Sequence, residues 1–168
     1  AERTNHGPMK LPPTTGERAA SDDAFWSGQS VSRDELLQAA RAVATRAHSP
    51  YSGVCVGAVL LDREGRTFSG CNVENASYGL TVCAERNAIG RAVADGAGEL
   101  VAVAIATNQD RVLTPCGACR QVLMEFAPDL VVVCVGSGAE ALEWRMGELL
   151  PSAFNKADLP GEAQGDQP

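Results

Sequence analysis

Cys83-Ala84-Glu85-Arg86 and Pro115-Cys116-Gly117-Ala118-Cys119 each open a predicted helix, and together they supply three thiols and one carboxylate. Zn2+ binds thiolates well. A catalytic zinc takes three protein ligands and leaves the fourth position to water, whereas a structural zinc usually closes all four. Three cysteines fit the open kind, and Glu85 is then the group left to move protons. Cys116 and Cys119, a Cys-x-x-Cys pair at a helix start, bring both sulfurs near the unpaired N–H groups of the first turn, where the dipole favours the thiolate. Residues two apart share no helix face, so Cys83 and Glu85 can approach one metal only if their helix begins at about Cys83. Thr81 is the expected cap of that helix. Three thiolates give the site a net negative charge, which a neighbouring cation offsets, and Arg86 adjoins the motif.

The competing reading is a disulfide or a closed structural zinc site. A closed site needs a fourth Cys or His with its own pairing, but Cys55, Cys71 and Cys134 are solitary and lie in apolar or strand-like runs. They are expected to be buried small hydrophobes. The closed site also leaves Glu85 without a task.

With 168 residues and 45% hydrophobic content the chain can bury one sizeable core but hardly two. A formal net charge of -7, from 14 Lys and Arg against 21 Asp and Glu, argues against a groove for nucleic-acid phosphates. A small-molecule substrate is expected instead. No apolar run is long enough to cross a bilayer, and no secretion signal is evident. Zinc-thiolate chemistry suits a reducing compartment, so a cytoplasmic location is expected.

Three segments follow from composition: an extension over 1–30, rich in Pro, Gly and charge and expected to be disordered; a folded zinc-dependent enzyme domain over 31–159; and a flexible tail over 160–168. Phe25 and Trp26 could dock locally. Ser32-Arg33-Asp34-Glu35 reads as a capping box, followed by apolar residues at helical spacing to about Ala47. Val54 to Leu61 and Arg66 to Cys71 read as a hairpin turned by Asp62-Arg63-Glu64-Gly65. Helices from about Cys83 to Ala94 and from Cys116 to Phe126 then alternate with strands from Leu100 to Thr107 and from Leu130 to Val135. The implied fold class is α/β, a three-layer α-β-α sandwich around a central mixed sheet with the metal ligands at the starts of two adjacent helices.

Beyond these helix starts, Pro50-Tyr51-Ser52, Val56-Gly57-Ala58, Gly70-Cys71-Asn72-Val73-Glu74-Asn75-Ala76, Arg120-Gln121 and Leu149-Leu150-Pro151-Ser152-Ala153-Phe154 occur in unbroken order. Over about Val31 to Leu159 the chain resembles the small homotetrameric cytidine deaminases, zinc enzymes of a superfamily with a common fold.

That resemblance implies hydrolytic conversion of cytidine and 2'-deoxycytidine to uridine and 2'-deoxyuridine with release of ammonia, in pyrimidine salvage. It implies one Zn2+ per subunit on Cys83, Cys116 and Cys119. Glu85 would take a proton from the attacking water, pass it to ring nitrogen N3 and deliver one to the departing amino group. The Ala84 N–H would meet the pyrimidine O2, and the Thr114 carbonyl would accept from the amino group. Asn72 and Glu74 match the pair that binds the ribose 3'-hydroxyl, although strand-end capping is the plain alternative for such residues. Ala76 and Tyr78 would reach the 5'-hydroxyl from a neighbouring subunit, and Phe154 would lie over the base from a second neighbour. A single Tyr or Phe would otherwise be read as packing.

Val54 departs from the family, which usually has Phe there. The smaller side chain removes several ring carbons of contact near the sugar and base. A modified cytosine nucleoside such as blasticidin S is therefore the second expected substrate class, although Glu74 suits an ordinary ribose. A polynucleotide deaminase would need a basic, aromatic-lined groove that this composition does not support. A catalytically dead nucleoside-binding relative is the third class, opposed by the intact Glu85.

Overall fold

The computed structural model describes residues 22–159. In chain order its elements are α1 (Asp23–Ser27), α2 (Arg33–Ala44), β1 (Val56–Asp62), β2 (Thr67–Cys71), a short 3-10 turn (Tyr78–Leu80), α3 (Ala84–Ala94), β3 (Leu100–Thr107), α4 (Gly117–Phe126), β4 (Val131–Val135), β5 (Leu142–Arg145), α5 (Met146–Leu149) and a second 3-10 turn (Lys156–Asp158). The expected capping box is present. The Ser32 hydroxyl accepts from the Glu35 N–H at 3.3 Å, and the Glu35 carboxylate accepts from the Ser32 N–H at 2.9 Å. Leu36, Leu37, Ala40 and Ala44 are the buried stripe behind it.

The five strands form one mixed sheet in the order β2-β1-β3-β4-β5, with β3 and β4 parallel and the other pairs antiparallel. Alternation along the strands divides the core between two faces. Ala58, Leu60, Val103, Ile105 and Val132 face the layer of α3, α4 and α5. Val59, Leu61, Ala104 and Val133 face α1 and α2. Each fully buried Leu or Val is worth roughly 1.5–3 kcal/mol relative to an exposed one. The three-layer α-β-α sandwich is thus the observed architecture.

Two glycines set how closely the helices approach. A Cβ on Gly57 would overlap the backbone of Ala40 and Ala44 in α2, and one on Gly70 would overlap the Ala84 carbonyl and the Ala88 N–H in α3. Gly70 therefore fixes the seat of the helix that carries Glu85.

A domain start at 31 proves too late. Trp26 is buried, its indole N–H donates to Glu143 at 2.9 Å, and the Asp22 N–H donates to the same carboxylate at 2.9 Å. Arg33 pairs with Glu143 at 3.3 Å, and Arg145 pairs with Asp22. Residues 22–30 belong to the folded body because a partner 117 positions away makes α1 worth burying. The rest of the expected extension and the tail over 160–168 lie outside the described residues. Strand β5 and helix α5 are additions to the expected elements. Cys134 is buried as expected, but Cys55 and Cys71 are only half-buried, since Cys71 ends β2 and Cys55 lies just before β1.

Candidate active site

Cys83 and Cys116 are the N-cap residues of α3 and α4, each extended (φ -70°, ψ 156° and φ -66°, ψ 165°) and neither using its side chain to cap. Their sulfurs stay available, and Thr81, expected as a cap, instead accepts the Asn75 N–H on its hydroxyl at 3.2 Å. Cys119 lies in the first turn of α4. The Cys83 and Cys116 sulfurs are 3.9 Å apart, those of Cys116 and Cys119 are 3.5 Å apart, and all three lie within 4.8 Å of one another. Tetrahedral Zn–S bonds of about 2.3 Å require sulfurs about 3.8 Å apart, so this donor set fits zinc. All six cysteines are free thiols, which removes the disulfide reading.

The electrostatics suit a metal-thiolate site. A hydrogen bond from Cys119 pulls the Cys83 thiol down to about 5, against the opposing effect of burial, and Arg86 assists. The Arg86 guanidinium lies 3.9 Å from the Cys83 sulfur and donates to the Thr81 carbonyl at 3.0 Å. Glu85 is 5% exposed, and burial pushes its carboxyl above the usual range, with the Cys83 charge adding to the effect. A buried carboxyl that holds its proton more readily than usual is suited to carry protons both ways.

Cys83, Glu85 and Cys116 line a cleft of about 240 Å3 together with Val54, Asn72, Glu74, Ala84, Leu113 and Thr114, and Cys119 lies behind them. It lies beyond the carboxyl end of β3, where the chain passes through an irregular loop into α4, the usual ligand position of a parallel crossover. Asn72 accepts the Val56 N–H at 2.7 Å and donates to the Val54 carbonyl at 2.8 Å. Glu74 accepts from the Tyr51 and Ser52 N–H groups at 2.9 and 3.2 Å and from the Ser52 hydroxyl. Both residues thus staple the 51–56 segment to the cleft. The Ser52 hydroxyl bond and these N–H donors hold the Glu74 carboxyl below its ordinary range.

An adjoining cavity of about 370 Å3 is lined by Tyr51, Ser52, Glu74, Tyr78 and Thr81. Tyr78 is 75% exposed, with its ring 6.1 Å from that of Tyr51, and Ala76 is exposed beside it. Phe154 is also exposed, and its carbonyl accepts from Gln121 at 2.7 Å. None of these three reaches the floor of its own chain's cleft. Leu113 and Ser52 are cleft residues that the motifs did not single out by role, although Ser52 lay within a quoted one. Phe25, Trp26 and Trp144 do not line the cleft, so none fills the space beside Val54.

The family profile described as "Cytidine and deoxycytidylate deaminase zinc-binding region" matches residues 30–135. The chain belongs to the cytidine and deoxycytidylate deaminase family. It is 42% identical over 135 residues to a probable cytidine deaminase of Dictyostelium discoideum, covering 80% of this chain and 91% of that one. It is 44% identical over 119 residues to a cytidine deaminase of Mycobacterium tuberculosis, covering 71% and 86%. The crystal structure of a cytidine deaminase from Burkholderia pseudomallei superposes with a TM-score of 0.71 at 44% identity, covering 74% of this chain and 100% of that one. The family's zinc-binding region contains Cys83, Cys116 and Cys119, the cysteine cluster able to hold one metal ion. Among the described residues no helix is long and apolar enough to cross a membrane.

Proposed function

We propose that this protein hydrolyses cytidine and 2'-deoxycytidine to uridine and 2'-deoxyuridine with release of ammonia, as a cytoplasmic enzyme of pyrimidine salvage. The observation that carries the reading is the buried Glu85 carboxyl beside three sulfurs spaced for one zinc, on the floor of a cleft that also holds Asn72 and Glu74. Zinc on Cys83, Cys116 and Cys119 supplies Lewis acidity that makes water a competent nucleophile near neutral pH.

The chain's own residues supply the rest. Glu85 receives the proton lost by water, hands it to N3 and returns one to the leaving amino group. Its raised affinity for protons favours the receiving half of that cycle. Arg86 offsets the charge of the Cys83 thiolate. The N–H of Ala84, at the first position of α3, has no partner within the helix, which supports the reading that it meets the pyrimidine O2. The Thr114 carbonyl takes the amino group.

Glu74 has lone-pair capacity beyond its present partners for a ribose 3'-hydroxyl, and Asn72 retains a second acceptor site on its oxygen. Exposure of Ala76, Tyr78, Leu80 and Phe154 in the single chain supports a homotetramer in which neighbours lend the 5'-hydroxyl and base contacts.

Val54 in the cleft wall favours one second reading, a bulkier modified cytosine nucleoside such as blasticidin S. Ammonia release is measured with zinc-loaded protein against cytidine, deoxycytidine, blasticidin S and free cytosine, with Glu85→Gln as the blank. The expected result is Glu85-dependent turnover of the two simple nucleosides. Turnover of blasticidin S alone would move the substrate class, and silence on all four would leave a nucleoside-binding relative without activity.

A further inference from the structure

The stretch Val112–Pro115 belongs to no helix or strand, yet Leu113 and Thr114 line the cleft and Cys116 follows at once. Pro115 has no N–H to contribute. Among the described residues, the hydrogen bonds that hold this stretch come from one side chain. Arg120, the residue after Cys119 in α4, donates from Nε to the Pro115 carbonyl at 2.8 Å and from Nη2 to the Thr114 hydroxyl at 2.9 Å. Its Nη1 donates to the Leu149 carbonyl at 2.9 Å, at the end of α5. One planar guanidinium therefore ties together a cleft wall, the helix that carries two sulfurs, and the segment leading to Phe154.

We infer that Arg120 is a positioning residue of this active site: without touching substrate, it sets the place of the Thr114–Pro115 wall relative to the three-sulfur cradle. The inference rests on the deaminase reading of the cleft. A loop with so few hydrogen bonds opens locally at low cost, so losing its anchor spreads the positions of its carbonyl groups. The three acceptors lie around one rigid fork of donors. A lysine ammonium on a flexible stem cannot hold all three in that arrangement. A displacement near 1 Å of a group that orients the reacting ring lowers the rate about 100-fold.

The test compares Arg120→Lys and Arg120→Ala with the parent in the full chain, by steady-state kinetics on cytidine, zinc content, and backbone 15N order parameters at Leu113 and Thr114. Arg120→Lys is expected to keep one zinc per chain and lose about 10- to 100-fold in kcat with a much smaller change in KM. The 15N order parameters at Leu113 and Thr114 fall from about 0.85 to about 0.6 or below while those of β3 and β4 are unchanged. Added guanidinium ion partly restores kcat to Arg120→Ala and does nothing for Glu85→Gln. Unchanged order parameters at Leu113 and Thr114 overturn the inference, as does kcat/KM within about threefold of the parent in Arg120→Lys. A loss of zinc or of the folded state in step with activity overturns it in favour of a merely structural role. A parent silent on cytidine would sink the deaminase reading alone, and the order-parameter comparison would still decide whether Arg120 holds the wall.

Discussion

Cys83 and Cys116 are the N-cap residues of two helices that begin at one cleft, and their sulfurs lie 3.9 Å apart. Metal binding therefore joins the starts of α3 and α4, and it stabilises the fold as well as serving chemistry. A ligand present at 100 times its Kd that binds only the folded state stabilises by about 2.7 kcal/mol. Removing zinc with a chelator is expected to lower the melting temperature by roughly 5–10 °C, measured by scanning calorimetry. Cys116→Ser is expected to lose stoichiometric zinc and to show no further chelator effect.

Gly57 and Gly70 make matched probes, because each lets a helix backbone press on the sheet. Alanine at either position is expected to cost about 1–3 kcal/mol in urea unfolding. The two differ in function. Gly70→Ala displaces α3 and with it Glu85, so its kcat should fall, whereas Gly57→Ala displaces α2 on the other face and should leave kcat nearly unchanged.

Trp26 and Glu143 are joined at 2.9 Å on the face of the sheet away from the cleft. Trp26→Phe keeps most of the apolar burial but leaves part of a buried carboxylate without its donor, at a cost of about 1–3 kcal/mol. The expected result is a melting temperature several degrees lower with kinetics unchanged. Loss of activity in proportion to stability would contradict the separation of the two faces.

Asp62 gives a prediction in pH. Its carboxyl is fully buried, which by itself raises its pKa, but the N–H groups of Arg66 and Gly98 and the Arg66 guanidinium outweigh burial and hold it below the ordinary range. A carboxyl depressed in the folded state contributes stability in full above its unfolded pKa of about 3.9. That contribution is lost as pH falls through the folded value. Asp62→Asn is therefore expected to be less stable than the parent at pH 7, with the gap narrowing below about pH 4 in thermal melts taken across pH.

The metal cradle was legible because its signals are local. A Cys or Glu at a helix start lies within a turn of its partners, so the spacing of Cys83, Glu85, Cys116 and Cys119 already implied one site. The pairings of β1 with β2 and the helix pattern behind Ser32 were legible for the same reason. Strand β5 was not, since Leu142–Arg145 is short and charged and becomes a strand only beside β4. Asn72 and Glu74 were legible as cleft residues but not as staples of the 51–56 segment, because their partners depend on where that segment folds back.

The sequence by itself determined that three thiols and one carboxylate stand at two helix starts and that helices alternate with strands, since each follows from chemistry or periodicity within a few residues. Only the tertiary structure decided that α1 is part of the body, that Gly70 seats the Glu85 helix, and that one arginine holds the cleft wall. Those outcomes depend on contacts between distant residues, whose energies arise only when burial has already brought them together.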